Sequence, residues 1–370
     1  MIGFFQSIVT IALFILILGG LVVIHEIGHF VVARLAKVRV LEFGIGFPPR
    51  AKVMRSKGET LYTLNWLPIG GFVKLEGEDG NDADDPRSFA SQRYLTKMLI
   101  LVAGVAMNVI LAFAIFTGIA WLASPHVGIR FFEVQPGSPA ATAGLQSGDA
   151  IIAVDGHRYQ FITGPTTLVD LRDRAGETVV LTIVDPSGGR RDVKVTLRPE
   201  SEIIEGVQGA LGITGRDRLF EAYFFGEYAQ NDLPAAVRIG FEQTVRWMGL
   251  IVGGLATLVS SVVNDPTAPP PVAGPVGIAT QIGDIFWNSG PIMLLYVAGI
   301  LSANLAVVNI LPFPPLDGGR MLMITLKRFL GARMSLRAEQ LTYMVGFVFL
   351  FAFIIWVTGF DIVRGLGGGS

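Results

Sequence analysis

The chain has 370 residues, 51% of them hydrophobic and only 16% charged, a balance that excludes an ordinary soluble globule. Its formal net charge of −1, with no Lys/Arg tract beside aromatic residues, excludes a nucleic-acid partner, which needs a basic face to displace counterions. There is no cysteine, so disulfides and thiolate ligands are excluded and any metal must sit on His, Asp or Glu.

In chain order, residues 1–37 hold an apolar run, Phe4–Ala33, longer than the roughly 20 helical residues that cross a bilayer. It lacks a basic n-region and a small-residue cleavage site, so it is expected to stay in the mature chain rather than act as a signal peptide. Residues 38–92 read as a cytoplasmic, membrane-associated β-hairpin region with a loop. Four short strands are expected, Val38–Gly44, Arg50–Arg55, Glu59–Trp66 and Gly71–Leu75, separated by Gly/Pro turns, and the acidic stretch Glu76–Asp85 then reads as an exposed loop. Residues 93–124 carry the second span, Met98–Ala123. No Lys or Arg precedes Arg34, whereas Arg34–Lys97 includes Arg39, Arg50, Lys52, Arg55, Lys57 and Lys74, which assigns this loop to the cytoplasm.

Residues 126–200 turn soluble in character. Strands Ile129–Val134, Ala150–Val154, Thr178–Val184 and Arg191–Leu197 around a helical stretch, Thr167–Arg174, predict one inserted extracytoplasmic α/β domain. Residues 201–233 read as an aromatic-rich connector. In 234–290, Pro234–Val263 reads as an amphipathic helix lying at the outer surface, with a fifth span as the alternative, before a Pro/Gly-rich loop. The third span, Ile292–Leu311, lies in 291–330 and the fourth, Leu341–Val357, in 338–364. Arg320, Lys327, Arg328, Arg333 and Arg337 form a second basic cluster, so both termini are expected to face outward. Residues 367–370 read as a linker remnant. The expected fold is a polytopic α-helical membrane protein with about four transmembrane helices, a membrane-associated β-hairpin sheet and one inserted α/β domain.

The strongest chemical signal is His25-Glu26-Ile27-Gly28-His29 near the end of the first span. Residues four apart on a helix are about 40° apart around its axis, so both imidazoles can reach one metal, with Glu26 beside them as general base. Ionisable residues in hydrocarbon are costly and mark function, although interhelical hydrogen bonds would also satisfy them. A catalytic zinc takes three protein ligands and leaves a position open. Asp317, on the Pro/Gly-broken backbone Asn309-Ile-Leu-Pro-Phe-Pro-Pro-Leu-Asp-Gly-Gly-Arg320, is the expected third, the bland alternative being a cap on the helix that follows. Asn309 could donate to substrate or to a developing oxyanion, or equally tie two spans together. The mechanism expected is hydrolysis by metal-activated water, with one Zn(2+) per chain.

His25–His29, Gly104-Val-Ala-Met-Asn108, and Asn309 with Leu316-Asp317-Gly318 together resemble the site-2 protease family of intramembrane zinc metalloproteases. The single inserted domain makes the chain most similar to the RseP-type sigma-factor regulators with one PDZ domain. That resemblance implies substrate or transition-state support by Asn309 and Asn108. It also implies a membrane-associated hairpin that presents substrate in extended form on Gly70, Gly71, Phe72 and Val73. Pro136–Asp149, followed by Ile151–Gly156, looks like part of a PDZ domain, whose groove is expected on an edge strand with Gly128, Ile129 and Arg130. Implied too are single-span substrates trimmed beforehand, such as an anti-sigma factor, in a bacterial cytoplasmic (inner) membrane, with the active site near the cytoplasmic side. Two readings from other classes compete: a transporter using His25, Glu26, His29 and Asp317 as an ion or proton path, and a catalytically silent scaffold acting through the PDZ-like domain.

Overall fold

The structure is a computed structural model that describes residues 2–56, 58–78, 84–163, 167–204, 208–215, 220–265, 269–330 and 336–367. Lys57, Arg333, the middle of the acidic stretch (79–83) and 368–370 of the expected linker remnant lie outside the described residues. The chain divides into two units, Met1–Phe116 with Phe241–Ser370, and Thr117–Gly240.

The first unit opens on α1 (Ile2–Leu35), a single helix because no proline and no charge other than Glu26 interrupts its apolar run before Arg34. The four expected short strands are joined into two long bent ones, β1 (Val40–Arg55) and β2 (Leu61–Leu75). Phe43 pairs with both Val73 and Tyr62, Gly44 with Phe72 and Thr63, and Ile45 with Gly71 and Leu64, while Arg50 and Val53 pair with Asn65 and Thr63. The middle of β1 therefore lies between two parts of β2. Gly71–Leu75 forms an edge whose far side pairs with no strand among the described residues. Gly70, at φ +84°, makes the reversal into that edge, and a Cβ there would stand 2.6 Å from the Phe47 ring. Trp66 and Leu67 remain 71% and 54% exposed, apolar surface that suits a bilayer interface better than water. The sheet is held to the helices by a buried cluster of Ala33, Val38, Val40, Leu75, Phe89, Ile100 and Leu101. The described ends of the acidic stretch are tied down rather than free: Glu76 and Asp85 pair with Arg39, and Glu78 pairs with Arg320. The next helix, α2 (Tyr94–Leu122), starts the passage into the second unit.

That unit carries β3 (Ser124–Arg130), β4 (Glu133–Val134), α3 (Pro139–Thr142), β5 (Ala150–Val154), β6 (Tyr159–Gln160), α4 (Thr167–Asp173), β7 (Thr178–Val184), β8 (Arg190–Thr196), β9 (Ile213–Thr214) and β10 (Glu221–Ala229). Five strands run in the order β10-β3-β5-β7-β8, with β6 also on β3, and β4 pairs with β9. Phe131, Ile151, Leu171, Val179, Leu181 and Ile183 fill the core. Ser138 caps α3 by accepting from the Ala141 N–H, with Pro139 at the first helical position. The Tyr159 hydroxyl donates to Asp170, joining β6 to α4; burial first and that carboxylate second push its phenol up.

Two expectations change here. Residues 201–233 are more than a connector, because β9 and β10 belong to the sheets and Ala210, Leu211 and Ile213 to the core. Gly128, Ile129 and Arg130 do not sit on an open edge: β3 is flanked by β5 and β6 on one side and by the chain's own β10 on the other. A nonlocal pairing of this kind leaves no local trace in sequence.

α5 (Leu233–Asn264) leads back to the first unit, followed by α6 (Pro275–Ser289), α7 (Pro291–Asn309), α8 (Asp317–Leu330) and α9 (Leu336–Gly367). Among the described residues five helices, α1, α2, α5, α7 and α9, are long and apolar enough to cross a membrane, where about four spans were expected. α6 starts on Gly274-Pro-Val-Gly277 because Asp361 of α9 accepts from the Gly274 and Gly277 N–H groups, at 3.2 and 2.8 Å, doing from another helix what an N-cap does locally.

Candidate metal centre

The centre is built where glycines let α1 and α2 approach closely. A Cβ on Gly28 would stand 2.3 Å from the Ala103 carbonyl oxygen, and one on Gly104 2.4 Å from His29 Nε2 and 2.8 Å from His25 Cε1. Only glycines permit that approach, and it buries His25 and His29 to 5% and 8% exposure. The His29 ring nitrogen Nδ1 lies 2.8 Å from the Ile100 carbonyl, an acceptor that fixes its proton there and leaves Nε2 free.

Asp317 arrives from a tightly folded segment between α7 and α8. A Cβ on Gly318 would meet the Ile310 carbonyl at 2.2 Å, one on Gly319 the Phe313 carbonyl carbon at 2.6 Å, and one on Gly346 of α9 the Pro314 carbonyl at 2.2 Å. The chain is folded back so closely that side chains are excluded, and the first residue of α8 turns inward. The Asp317 carboxylate oxygen Oδ2 lies 2.9 Å from His25 Nε2 and 3.2 Å from His29 Nε2, and the two Nε2 atoms are 3.0 Å apart. Among the described residues these three form a group able to hold a metal. Bonds of about 2.0–2.1 Å in a tetrahedral site set donors roughly 3.3 Å apart, so two imidazole nitrogens and one carboxylate oxygen at these separations fit zinc.

One cavity of about 580 Å³ is lined by His25, Glu26, His29, Asn108, Asn309 and Asp317 together with Gly71, Phe72 and Val73. Residues drawn from four regions of the sequence, α1, β2, α2 and the α7–α8 junction, therefore meet at one site. Gly70 stands back from the lining as the turn before it, and Gly128, Ile129 and Arg130 belong to the other unit. Asn108 sits against a ligand rather than alone in the cavity: its amide is 3.3 Å from His25 Nδ1. The cavity also has a polar arm that sequence reading missed, with Glu78 paired to Arg320, and Glu339 and Tyr343 from α9. The only local signal for it is Arg320, one helical turn after Asp317.

A profile of peptidase family M50 matches residues 13–353. The chain belongs to peptidase family M50. It is 31% identical to chains provisionally named zinc metalloprotease in Clostridium perfringens and Clostridium acetobutylicum, over 94% and 97% of its length and 97% and 98% of theirs. It is 27% identical to the zinc metalloprotease RasP of Geobacillus kaustophilus, covering 97% of this chain and 99% of that one. This M50 peptidase is thus a zinc metallopeptidase of the site-2 type, and its apolar helices make it a membrane protein.

Proposed function

We infer that this M50 peptidase is an intramembrane endopeptidase that cleaves the membrane-spanning segment of single-span proteins already trimmed outside the bilayer, an anti-sigma factor being the type of substrate. The observation that carries this reading is the shared cavity, in which His25, His29, Asp317 and Glu26 lie beside the unpaired edge of β2. His25, His29 and Asp317 would hold one zinc ion, which when bound polarises the scissile carbonyl and activates water. Glu26 takes the proton of the attacking water on its carboxylate and hands it to the leaving amine nitrogen. Gly71, Phe72 and Val73 pair with the substrate as an added strand, which exposes peptide bonds that a helix shelters. Asn309, at the end of α7, donates to the oxyanion as it forms.

The basic loop before α2 and the basic residues of α8 both belong on the cytoplasmic side under the positive-inside rule, in a bacterial inner membrane. An even number of crossings must separate them. α2 and α7 supply two, so α5 lies along the outer surface, as its Arg238, Glu242 and Arg246 stripe also favours, and the 117–240 unit is extracytoplasmic. In a PDZ-like role, that unit would take a peptide end along β9, which pairs with β4 alone among the described strands, and not along β3.

The test is cleavage of a single-span substrate in detergent by wild type and by Glu26→Gln. Wild type should cut within the apolar segment and Glu26→Gln should retain zinc while losing cleavage; full turnover by Glu26→Gln would refute the assignment.

A further inference from the structure

The orientation of Asn108 does not suit a metal-loaded site. Its amide nitrogen faces His25 Nδ1 at 3.3 Å, while its amide oxygen is buried without a hydrogen-bond partner among the described residues. A –NH₂ group can only donate, so this arrangement requires an unprotonated Nδ1 and leaves the ring proton on Nε2. Yet Nε2 is the atom that converges with His29 Nε2 on Asp317, and a metal ligand must present a free lone pair there. The oxygen and nitrogen of a carboxamide are nearly equal in size, and a half-turn about the last side-chain torsion exchanges them at little steric cost.

We propose that Asn108 is a positioning residue whose Oδ1 accepts the Nδ1–H of His25, holding that imidazole in the tautomer that ligates the metal. This rests on the zinc reading of the site. The half-turn puts the orphaned oxygen to use and gives His25 what His29 already has. The two acceptors come from one stripe of α2: the Ile100 carbonyl serves His29, Asn108 serves His25, and Gly104, midway at four-residue spacing, leaves room for both rings. The Asn108 backbone is itself fixed, because its carbonyl accepts from Ser302 Oγ of α7 at 2.8 Å. Asn108 therefore acts through His25 and not on the substrate, a change from the transition-state role that the motif alone implies.

The experiment is zinc affinity of the purified full chain by competition with a chelator, with the visible absorption of Co(II) in the same proteins as a probe of ligand geometry. Asn108→Leu keeps the shape without an acceptor, and Asn108→Asp can accept but never donate. Leu should weaken zinc binding about 10- to 100-fold and alter the Co(II) spectrum, the cost of losing a partner that orients a ligating histidine. Asp should bind within a few-fold of wild type. Wild-type affinity in Asn108→Leu, or a loss in Asn108→Asp as large as that in Leu, overturns the proposal. The Asp result stands alone if the Leu variant does not fold, since an amide that donates to His25 cannot be replaced by a carboxylate. A wild-type chain that binds no zinc overturns the zinc reading, and with it this inference, whereas zinc-binding wild type with an unaffected Leu variant overturns this inference alone.

Discussion

Gly104→Ala tests whether the contact between α1 and α2 sets the metal ligands. The new Cβ would stand 2.4 Å from His29 Nε2, 2.6 Å from His29 Cε1 and 2.8 Å from His25 Cε1, so a ligating ring must retreat by about 1 Å to reach ordinary van der Waals distance. Functional constellations tolerate roughly 0.5 Å of displacement. The rings have little freedom to adjust, because Ile100 holds His29 from the same helix that would carry the new methyl group. The expected loss of zinc affinity is about 10- to 100-fold, comparable to losing a ligand's orienting partner and equivalent to about 1.4–2.8 kcal/mol. Chelator competition on detergent-purified protein reads this directly. Gly118→Ala on the same helix is the control, since its Cβ meets nothing within 4 Å. Helix propensity favours alanine at both positions, so a propensity effect would move the two variants together. Wild-type zinc affinity in Gly104→Ala would refute the reasoning, as would an equal loss in Gly118→Ala.

Other outcomes follow from the same contacts. Gly346→Ala would put a methyl group 2.2 Å from the Pro314 carbonyl and should lower thermal stability by about 1–3 kcal/mol while weakening zinc binding, because Pro314 is three residues from Asp317. Asp361→Ala removes the carboxylate that caps α6 and should cost about 1–2 kcal/mol in a detergent thermal melt, with zinc content unchanged. The Val180 N–H, and then Arg174, hold Asp155 below the usual aspartate value. Its stabilising contribution is therefore present above the unfolded-state value and is lost as pH falls through the lower folded-state value. The melting temperature should decline across that acidic window, and Asp155→Asn should flatten the decline.

The residues that converge at the candidate metal centre, His25, His29 and Asp317 with Glu26 beside them, stand out in the sequence because their signals are local or strongly constrained. His25, Glu26 and His29 lie within five residues on an uninterrupted apolar helix, and Asp317 follows a span on a backbone that its prolines and glycines must break. The strand character of the hairpin region was legible, but the Gly/Pro positions read as turns at 45–49 and 67–70 lie inside two long strands, and their bent pairing was not visible. What stayed hidden depends on long-range contact. Arg320 and Glu78 are 242 residues apart, and Asp361 reaches Gly274 across 87, so no periodicity carries either pair. The partner of β3 was hidden for the same reason: β10 lies some 90 residues on, in a stretch whose aromatic residues read as connector. Asn108 was picked out by motif, but its neighbour His25 is visible only once α1 and α2 are packed.

The most direct test of the central claim is the zinc content of the purified chain by elemental analysis, compared with His25→Ala, Asp317→Ala and Glu26→Gln. A site built by α1 and the start of α8 requires about one zinc per chain in wild type and Glu26→Gln, and its loss in both ligand variants. Folded wild type without zinc, or Asp317→Ala that keeps it in full, would contradict the account.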